Sequence, residues 1–419
     1  MIIAAARIAG ALFIKLGQPQ VCGEIAAGLL LGPSLFGKLF PDVFHRVFAP
    51  EVAPIFSALS QLGLILLMFL IGLEFDFGHL RSKGSSALTI SIAGIASPFI
   101  LGLVIAPLLY AQIGEGINRT GFALFIATAL SITAIPTLGR IMVELNIQRT
   151  YIGSLTITAA AIDDASGWTI LTIVSAVVRS NFDIRNSILM VLEIIAYAAF
   201  MIFVVRPILK TWISRRLREE TEVSISTLTV ILVLVLLSAI CTSLIGIFAI
   251  FGGFIMGAIL YDEVKLAKGL TERLRDFTTA FFLPIFFTYT GLRTDVGSMG
   301  GVNLWLLAAL ILAAAVVGKL GGCAVAARFV GLSWRHASLV GVMMNTRGLM
   351  ELIVINLGFE LGVIPKSALF MLVSMAVVTT YMTTPLLGRL LHSTELEPLF
   401  SASSFAQARN GSRVYTSRR

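Results

Sequence analysis

Two adjacent aspartates, Asp163 and Asp164, stand near the middle of an apolar run covering residues 151–178. A run of that length crosses a bilayer as a single helix. Each ionised aspartate at that depth costs roughly 2.5–3.5 kcal/mol on insertion-based scales, so an idle pair would be an expensive ornament. Neighbouring residues on a helix point about 100° apart. The two acids therefore take different roles, one facing a partner helix and the other a water-filled cavity. The reading that follows is a site for protons and cations.

Composition agrees with a membrane setting. Only 13% of the 419 residues are charged and 57% are apolar, where a soluble domain averages about 25% charged. Apolar segments recur along nearly the whole chain, leaving no room for a sizeable soluble domain. The net charge of +8 comes from basic residues spread over short loops, which reads as a topology signal and not as a nucleic-acid-binding face. Cys22, Cys241 and Cys323 lie far apart, with no metal-ligand spacing and no disulfide framework. No cofactor is expected. His45, His79, His336 and His392 fall near helix ends or loops.

The expected fold class is an all-α, multi-pass membrane protein with about thirteen transmembrane helices. They begin near Ile2, Val21, Pro54, Ala87, Gly121, Tyr151, Asn186, Ser224, Gly246, Leu270, Val302, His336 and Ser367. The first run, residues 2–14, is short for a full crossing, so either it enters obliquely or the native start lies upstream. Loops after the odd-numbered spans hold most of the 31 Lys and Arg residues, densest at Arg206, Lys210, Arg215, Arg216 and Arg218. The positive-inside rule then puts the N-terminus outside and the C-terminus in the cytoplasm. Residues 393–419, rich in Ser and Arg, read as a disordered cytoplasmic tail.

Internal repetition decides the architecture. The third span ends in Ile71-Gly72-Leu73-Glu74-Phe75-Asp76 and the tenth in Thr290-Gly291-Leu292-Arg293-Thr294-Asp295. The preceding spans also echo, Gly23-Glu24-Ile25-Ala26-Ala27-Gly28 against Gly253-Phe254-Ile255-Met256-Gly257. An odd number of spans separates the copies, so they have opposite orientation, as in inverted-repeat transporters with a site near the midplane. In such folds the site-forming helices are broken. Two segments invite a break. The fifth span contains Ser131, Thr133 and Pro136, where proline removes a backbone donor and crowds the preceding turn while the hydroxyls offer oxygens. Its counterpart is Asn345-Thr346-Arg347-Gly348-Leu349-Met350-Glu351, where Gly348 weakens a helix carrying two deep charges. Arg347 and Glu351 are four apart, on one helix face. They either pair with each other or tie this span to the crossing. Lys319, in Val317-Gly318-Lys319-Leu320-Gly321-Gly322, lies too deep to snorkel; a carboxylate, Asp163 or Asp164, is its cheapest partner.

With these residues assembled, the runs LGQPQVCGEIAAGLLLGPSLFG, GLILLMFLIGLEFD, AIDDASGW and NTRGLMELIVINLG resemble the monovalent cation:proton antiporter-2 family. That family includes the Kef potassium-efflux systems, NapA-type sodium/proton antiporters and plant cation/proton exchangers. The resemblance covers the whole membrane region. It implies a homodimer in which a core domain moves against a dimerisation domain in an elevator-like cycle. The implied division is 1–85 and 222–298 for dimerisation, 86–180 and 300–392 for the core, 186–218 as linker helix and 393–419 as tail. It also implies Asp164 as the principal cation and proton carrier, Asp163 paired with Lys319, Ser131 and Thr133 at the unwound crossing, and electrogenic exchange. The acid pair leans towards sodium. The glutamate expected at Leu349 is absent and the acid is Glu351, a plant-exchanger pattern that leans towards potassium. No G-x-G-x-x-G follows the membrane region, so nucleotide gating of the Kef kind is not expected.

Physical reasoning reaches a similar mechanism without the family. A hard monovalent cation would take Asp164 together with hydroxyl and carbonyl oxygens of the broken fifth span. Proton and cation then compete for one carboxylate, and competition with alternating access is antiport. The expected partners are monovalent cations, protons, the bilayer and a second copy of the chain. A channel-like uniporter of the same fold is the alternative, and an intramembrane aspartyl protease a remote one. The protease needs its acids on separate helices, and Tyr261-Asp262 has no Gly-x-Gly-Asp to pair with.

Overall fold

A computed structural model describes residues 1–15, 20–74, 84–145, 147, 150–179, 184–219, 223–246 and 248–391. The expected tail, His79, His392 and the Phe75-Asp76 end of the first echo lie outside the described residues. Among the described residues the structure is helical, with no strand.

The chain opens with α1 (Ile2–Lys15) and α2 (Gln20–Leu31). Short helices α3 (Phe36–Leu39) and α4 (Pro41–Val47) follow, α4 starting on Pro41 where a missing N–H costs nothing. Next come α5 (Ala53–Glu74), α6 (Gly84–Ile113), α7 (Arg119–Ser131), α8 (Ile135–Glu144) and α9 (Tyr151–Arg179). The Asn118 side chain caps α7 by accepting from the Thr120 and Gly121 amides, each at 3.0 Å. Three later helices run through one wide π turn each. Met201–Val205 joins α10 (Ile184–Phe200) to α11 (Arg206–Glu219). After α12 (Ile225–Ile245) and α13 (Ala249–Ala258), Thr278–Phe282 joins α14 (Val264–Phe277) to α15 (Leu283–Arg293). Val317–Gly321 joins α16 (Val302–Val316) to α17 (Gly322–Phe329). The chain continues with α18 (Trp334–Met344), α19 (Leu349–Glu360) and α20 (Lys366–Leu391). Eight helical segments among the described residues are long and apolar enough to cross a membrane, or nine if the bent pair α18–α19 is one span. Length and composition alone do not reach the expected count of about thirteen.

Internal contacts divide the chain into two compact units. The first comprises Met1–Arg7, Glu24–Phe77 and Thr172–Arg293, and so takes in the expected linker helix. Its helices meet at glycines. A Cβ on Gly257 would lie 2.1 Å from the Phe69 carbonyl oxygen, and one on Gly72 2.3 Å from that of Phe254. A Cβ on Gly28 would lie 2.2 Å from the Thr288 carbonyl oxygen, and one on Gly291 2.4 Å from that of Ile25. No side chain fits at such distances. Lipid tails are as apolar as the helices, so close backbone approach at small residues supplies the attraction that hydrophobic burial cannot. The two contacts are the same contact made twice. Gly28 plays in α2–α15 the part that Gly257 plays in α13–α5, with Gly291 matching Gly72.

The second unit comprises Ile8–Gly23, Gly78–Leu171 and Thr294–Arg419. Here α6 lies against α7, α16 and α17, and α20 against α16, α18 and α19. An apolar core in this unit includes Leu138, Met142, Leu155, Ala159, Met343 and Leu387.

Candidate functional site

The second unit contains two helices that stop inside the apolar layer and start again. α7 ends at Ser131, Ile132 is extended (φ −83°, ψ 144°), and α8 begins at Ile135. The break falls just ahead of Pro136, which stands second in α8, where its lost donor costs nothing. α18 ends at Met344 and α19 begins at Leu349, with the two inclined by 46°. Gly348 immediately precedes α19 in an extended conformation (φ 164°).

A broken helix leaves backbone groups without intrahelical partners, and in an apolar layer each must be satisfied by protein. The two breaks satisfy each other in part. The Ala134 amide and the Thr133 hydroxyl donate to the carbonyls of Thr346 and Met344, each at 3.1 Å. Thr380 of α20 completes the second break. Its hydroxyl donates to the Arg347 carbonyl at 2.7 Å and accepts from the Arg347 amide at 3.2 Å.

The buried charges satisfy the rest. Arg347 donates to the Ala129 carbonyl at 2.9 Å and the Leu130 carbonyl at 2.7 Å, and pairs with Glu351 at 3.2 Å. Arg347 therefore touches both Glu351 and the end of α7. Lys319, on the wide turn between α16 and α17, donates to the Ser131 carbonyl and to both Asp163 oxygens at 2.9 and 3.0 Å. The three last carbonyls of α7 therefore face two cations, which suits the negative end of a helix dipole. Side chains of Asp163, Lys319, Arg347 and Glu351 are all 0% exposed. A wide turn exposes backbone that a regular helix would cover, and such turns recur at functional sites.

Asp164 stands apart from this network. It is buried, and its Oδ1 has no hydrogen-bond partner. Gly167, three residues on and on the same face of α9, packs against Ile132 of the first break, so that face meets the crossing. Ser131 donates its hydroxyl proton to the Thr128 carbonyl at 2.8 Å, and Thr133 gives its own to Met344. Both oxygens keep their lone pairs as acceptors. The arrangement is a neutralised acid–lysine pair beside an uncompensated acid, at the crossing of two broken helices. It can hold a proton or a small hard cation on Asp164. Thr380 escapes a reading of the sequence, although the buried run Thr379, Thr380, Thr383, Thr384 in an apolar helix is a usable signal.

Residues 3–392 match the family described as sodium/hydrogen exchanger, transmembrane. The chain is 42% identical over 393 residues to Na(+)/H(+) antiporter NhaS4 of Synechocystis, covering 93% of this chain and 95% of that protein. It is 37% identical over 387 residues to Cation/H(+) antiporter 18 of Arabidopsis thaliana, covering 92% of this chain but 47% of the plant protein. The chain thus spans about half the length of that plant relative. In fold it is similar to the sodium proton antiporter MjNhaP1 from Methanocaldococcus jannaschii at pH 8, with a TM-score of 0.63 over 95% of this chain and 97% of that one, at 14% identity. The chain belongs to the sodium/hydrogen exchanger family. It is an integral, multi-pass membrane transporter and not an enzyme.

Proposed function

We propose that this chain exchanges a monovalent cation, sodium first and potassium second, for protons across a membrane. Proton and cation compete for Asp164, with hydroxyl and carbonyl oxygens of Ser131 and Thr133 assisting. The observation that carries the reading is the partnerless Asp164 oxygen, one residue from the saturated Asp163–Lys319 pair. A carboxylate left without a donor in an apolar layer binds whichever cation reaches it. Lys319 holds Asp163 and the end of α7, while Arg347 and Glu351 keep the helix breaks in register. Cation binding that weakens the Asp163–Lys319 pair frees Lys319 to lose its proton, which would make exchange electrogenic. Alternating access is of the elevator type in a homodimer, with the N-terminus outside and the C-terminus cytoplasmic. The named activities of the similar proteins support antiport, both for Na(+) in NhaS4 and for K(+) in K(+)/H(+) antiporter 1 of Saccharomyces cerevisiae, 32% identical over 382 residues.

The test is purified protein in vesicles holding a trapped pH dye, given sodium or potassium under clamped voltage. Cation-triggered proton movement is expected in wild type and none in Asp164→Asn, with normal folded yield. Cation flux with no proton response would install the channel reading instead. Exchange surviving in Asp164→Asn would remove that residue from its role.

A further inference from the structure

The second break holds another polar atom that the mechanism above does not use. Asn345 lies between Met344 and Thr346, the residues whose carbonyls accept from Thr133 and from the Ala134 amide. These two bonds fix Asn345 against the stretch of chain that carries Thr133. Its side chain is 1% exposed, and its Oδ1 has no hydrogen-bond donor. A buried amide oxygen left without a donor costs about 1–3 kcal/mol. Nearby polar groups do better. Thr346 donates its hydroxyl to Met343 at 2.7 Å, and Thr133 and Thr380 are both engaged. Glu351 Oε2 also lacks a donor, but Arg347 already balances the charge of that carboxylate. Asn345 Oδ1 and Asp164 Oδ1 are thus the two donorless oxygens at this crossing whose side chains no cation of the protein holds, among the described residues.

We infer that the Asn345 amide oxygen is a direct ligand of the transported cation, supplied by the second broken helix to complete the oxygen set around Asp164. This inference rests on the antiport reading and adds to it the other half of the ligand shell. A dehydrated monovalent cation needs several oxygens, and one carboxylate with the oxygens of Ser131 and Thr133 leaves its shell short, since the Ser131 carbonyl already accepts from Lys319. A proton needs only the carboxylate. Asn345 therefore serves the cation and not the proton, which separates it from Asp164. The number and field strength of coordinating carbonyl dipoles also set discrimination between potassium and sodium. A neutral amide oxygen is a weak-field ligand, so it favours the larger cation, whose dehydration is less costly.

The experiment measures exchange in wild-type, Asn345→Ala and Asn345→Asp vesicles with sodium and with potassium at fixed pH. Asn345→Ala is expected to raise the apparent KM for potassium by about tenfold, with a smaller rise for sodium and a maximal rate kept within about twofold. Asn345→Asp, which keeps an oxygen at that place, restores the KM for sodium. If Asn345→Ala does not fold, Asn345→Ser, whose oxygen is drawn back from the site, takes its place. An unchanged KM and unchanged selectivity would overturn the assignment. So would an equal fall in maximal rate for the Ala and Asp variants with KM constant, which marks a structural role. Absence of exchange in wild type would instead overturn the antiport reading itself.

Discussion

Both units cross helices inside an apolar layer, and they do it by opposite means. In the first, α5 meets α13 and α2 meets α15 at glycines, backbone against backbone, and none of the groups nearest those glycines is charged. Those helices stay whole there, so their amides and carbonyls keep partners within the helix, and the Thr288 hydroxyl adds a bond to the Glu24 carbonyl at 3.2 Å. In the second, α7–α8 and α18–α19 break where they cross, and the freed groups go to Arg347, Lys319, Thr133 and Thr380. A glycine contact is fixed and neutral, good for a scaffold and useless as a site. A crossing held by charges has freed backbone, ionisable partners and one acid left over. The second kind supplies the ionisable groups that a proton or a cation would need.

If that contrast is right, the largest loss of stability follows from Arg347→Ala. The change strands the Ala129 and Leu130 carbonyls and leaves the Glu351 carboxylate buried and alone. Breaking a buried pair in this way costs about 3–5 kcal/mol. Thermal unfolding in detergent should show a collapse in melting temperature, with Arg347→Lys intermediate because it keeps the charge but not the fork. A wild-type melting curve for Arg347→Ala would mean that the crossing is not held by charge. Lys319→Met alone should be similarly costly. Paired with Asp163→Leu, it should recover most of the loss, because replacing a whole buried pair by apolar groups is close to neutral, leaving about 1–3 kcal/mol for the stranded Ser131 carbonyl. Exchange would stay lost.

The scaffold crossings predict a smaller, symmetrical effect. Gly257→Val drives a side chain into the Phe69 carbonyl, and Gly28→Val drives one into the Thr288 carbonyl. Each should cost about 1–3 kcal/mol from overpacking, and the two costs should match if the contacts are repeats of one another. A twofold or larger mismatch between them would break the equivalence of α2–α15 with α13–α5.

Much of this is legible in the sequence alone, and the limits have a physical pattern. The cost of a charge at membrane depth is local knowledge, so Asp163, Asp164 and Lys319 announce themselves as a group needing partners. The echo of Gly28 and Gly257, and of Gly72 and Gly291, is readable because close approach admits only one residue type. What stays hidden is the destination of each backbone group. Pro136 marks a weak point, yet the break lies at residues 132–134 because Thr346 and Met344, more than 200 positions away, supply the bonds there. The spacing of Arg347 and Glu351 puts the two on one helix face, which permits their pairing but does not reveal the carbonyls of α7. Asn345 is an ordinary polar residue until the hydrogen bonds of its neighbours are known.

The smallest effect belongs to the charge cluster at a helix end of the scaffold unit. Asp262, between α13 and α14, accepts from Arg206 at 2.7 Å and from Lys210 at 2.5 Å. Partial burial alone would raise its carboxyl, but hydrogen bonds from Lys210 and Arg206 outweigh it and hold the group below the usual carboxylate range. The group is thus easier to ionise folded than unfolded. Its contribution is present above the ordinary carboxylate pKa and fades as pH falls through that of the folded state. The side chains are about a third exposed, so the contribution is about 1 kcal/mol or less. Asp262→Asn should therefore lower the melting temperature slightly at neutral pH, and the gap from wild type should close on acidification. Added salt should narrow it too, since exposed pairs are screened. Neither acid nor salt should touch the cost of Gly257→Val, because the groups nearest that glycine are uncharged backbone of Phe69, Leu73 and Gly72. A glycine-variant penalty that moved with pH would mean the scaffold crossings are coupled to titrating groups, and the division between the two kinds of crossing would fail.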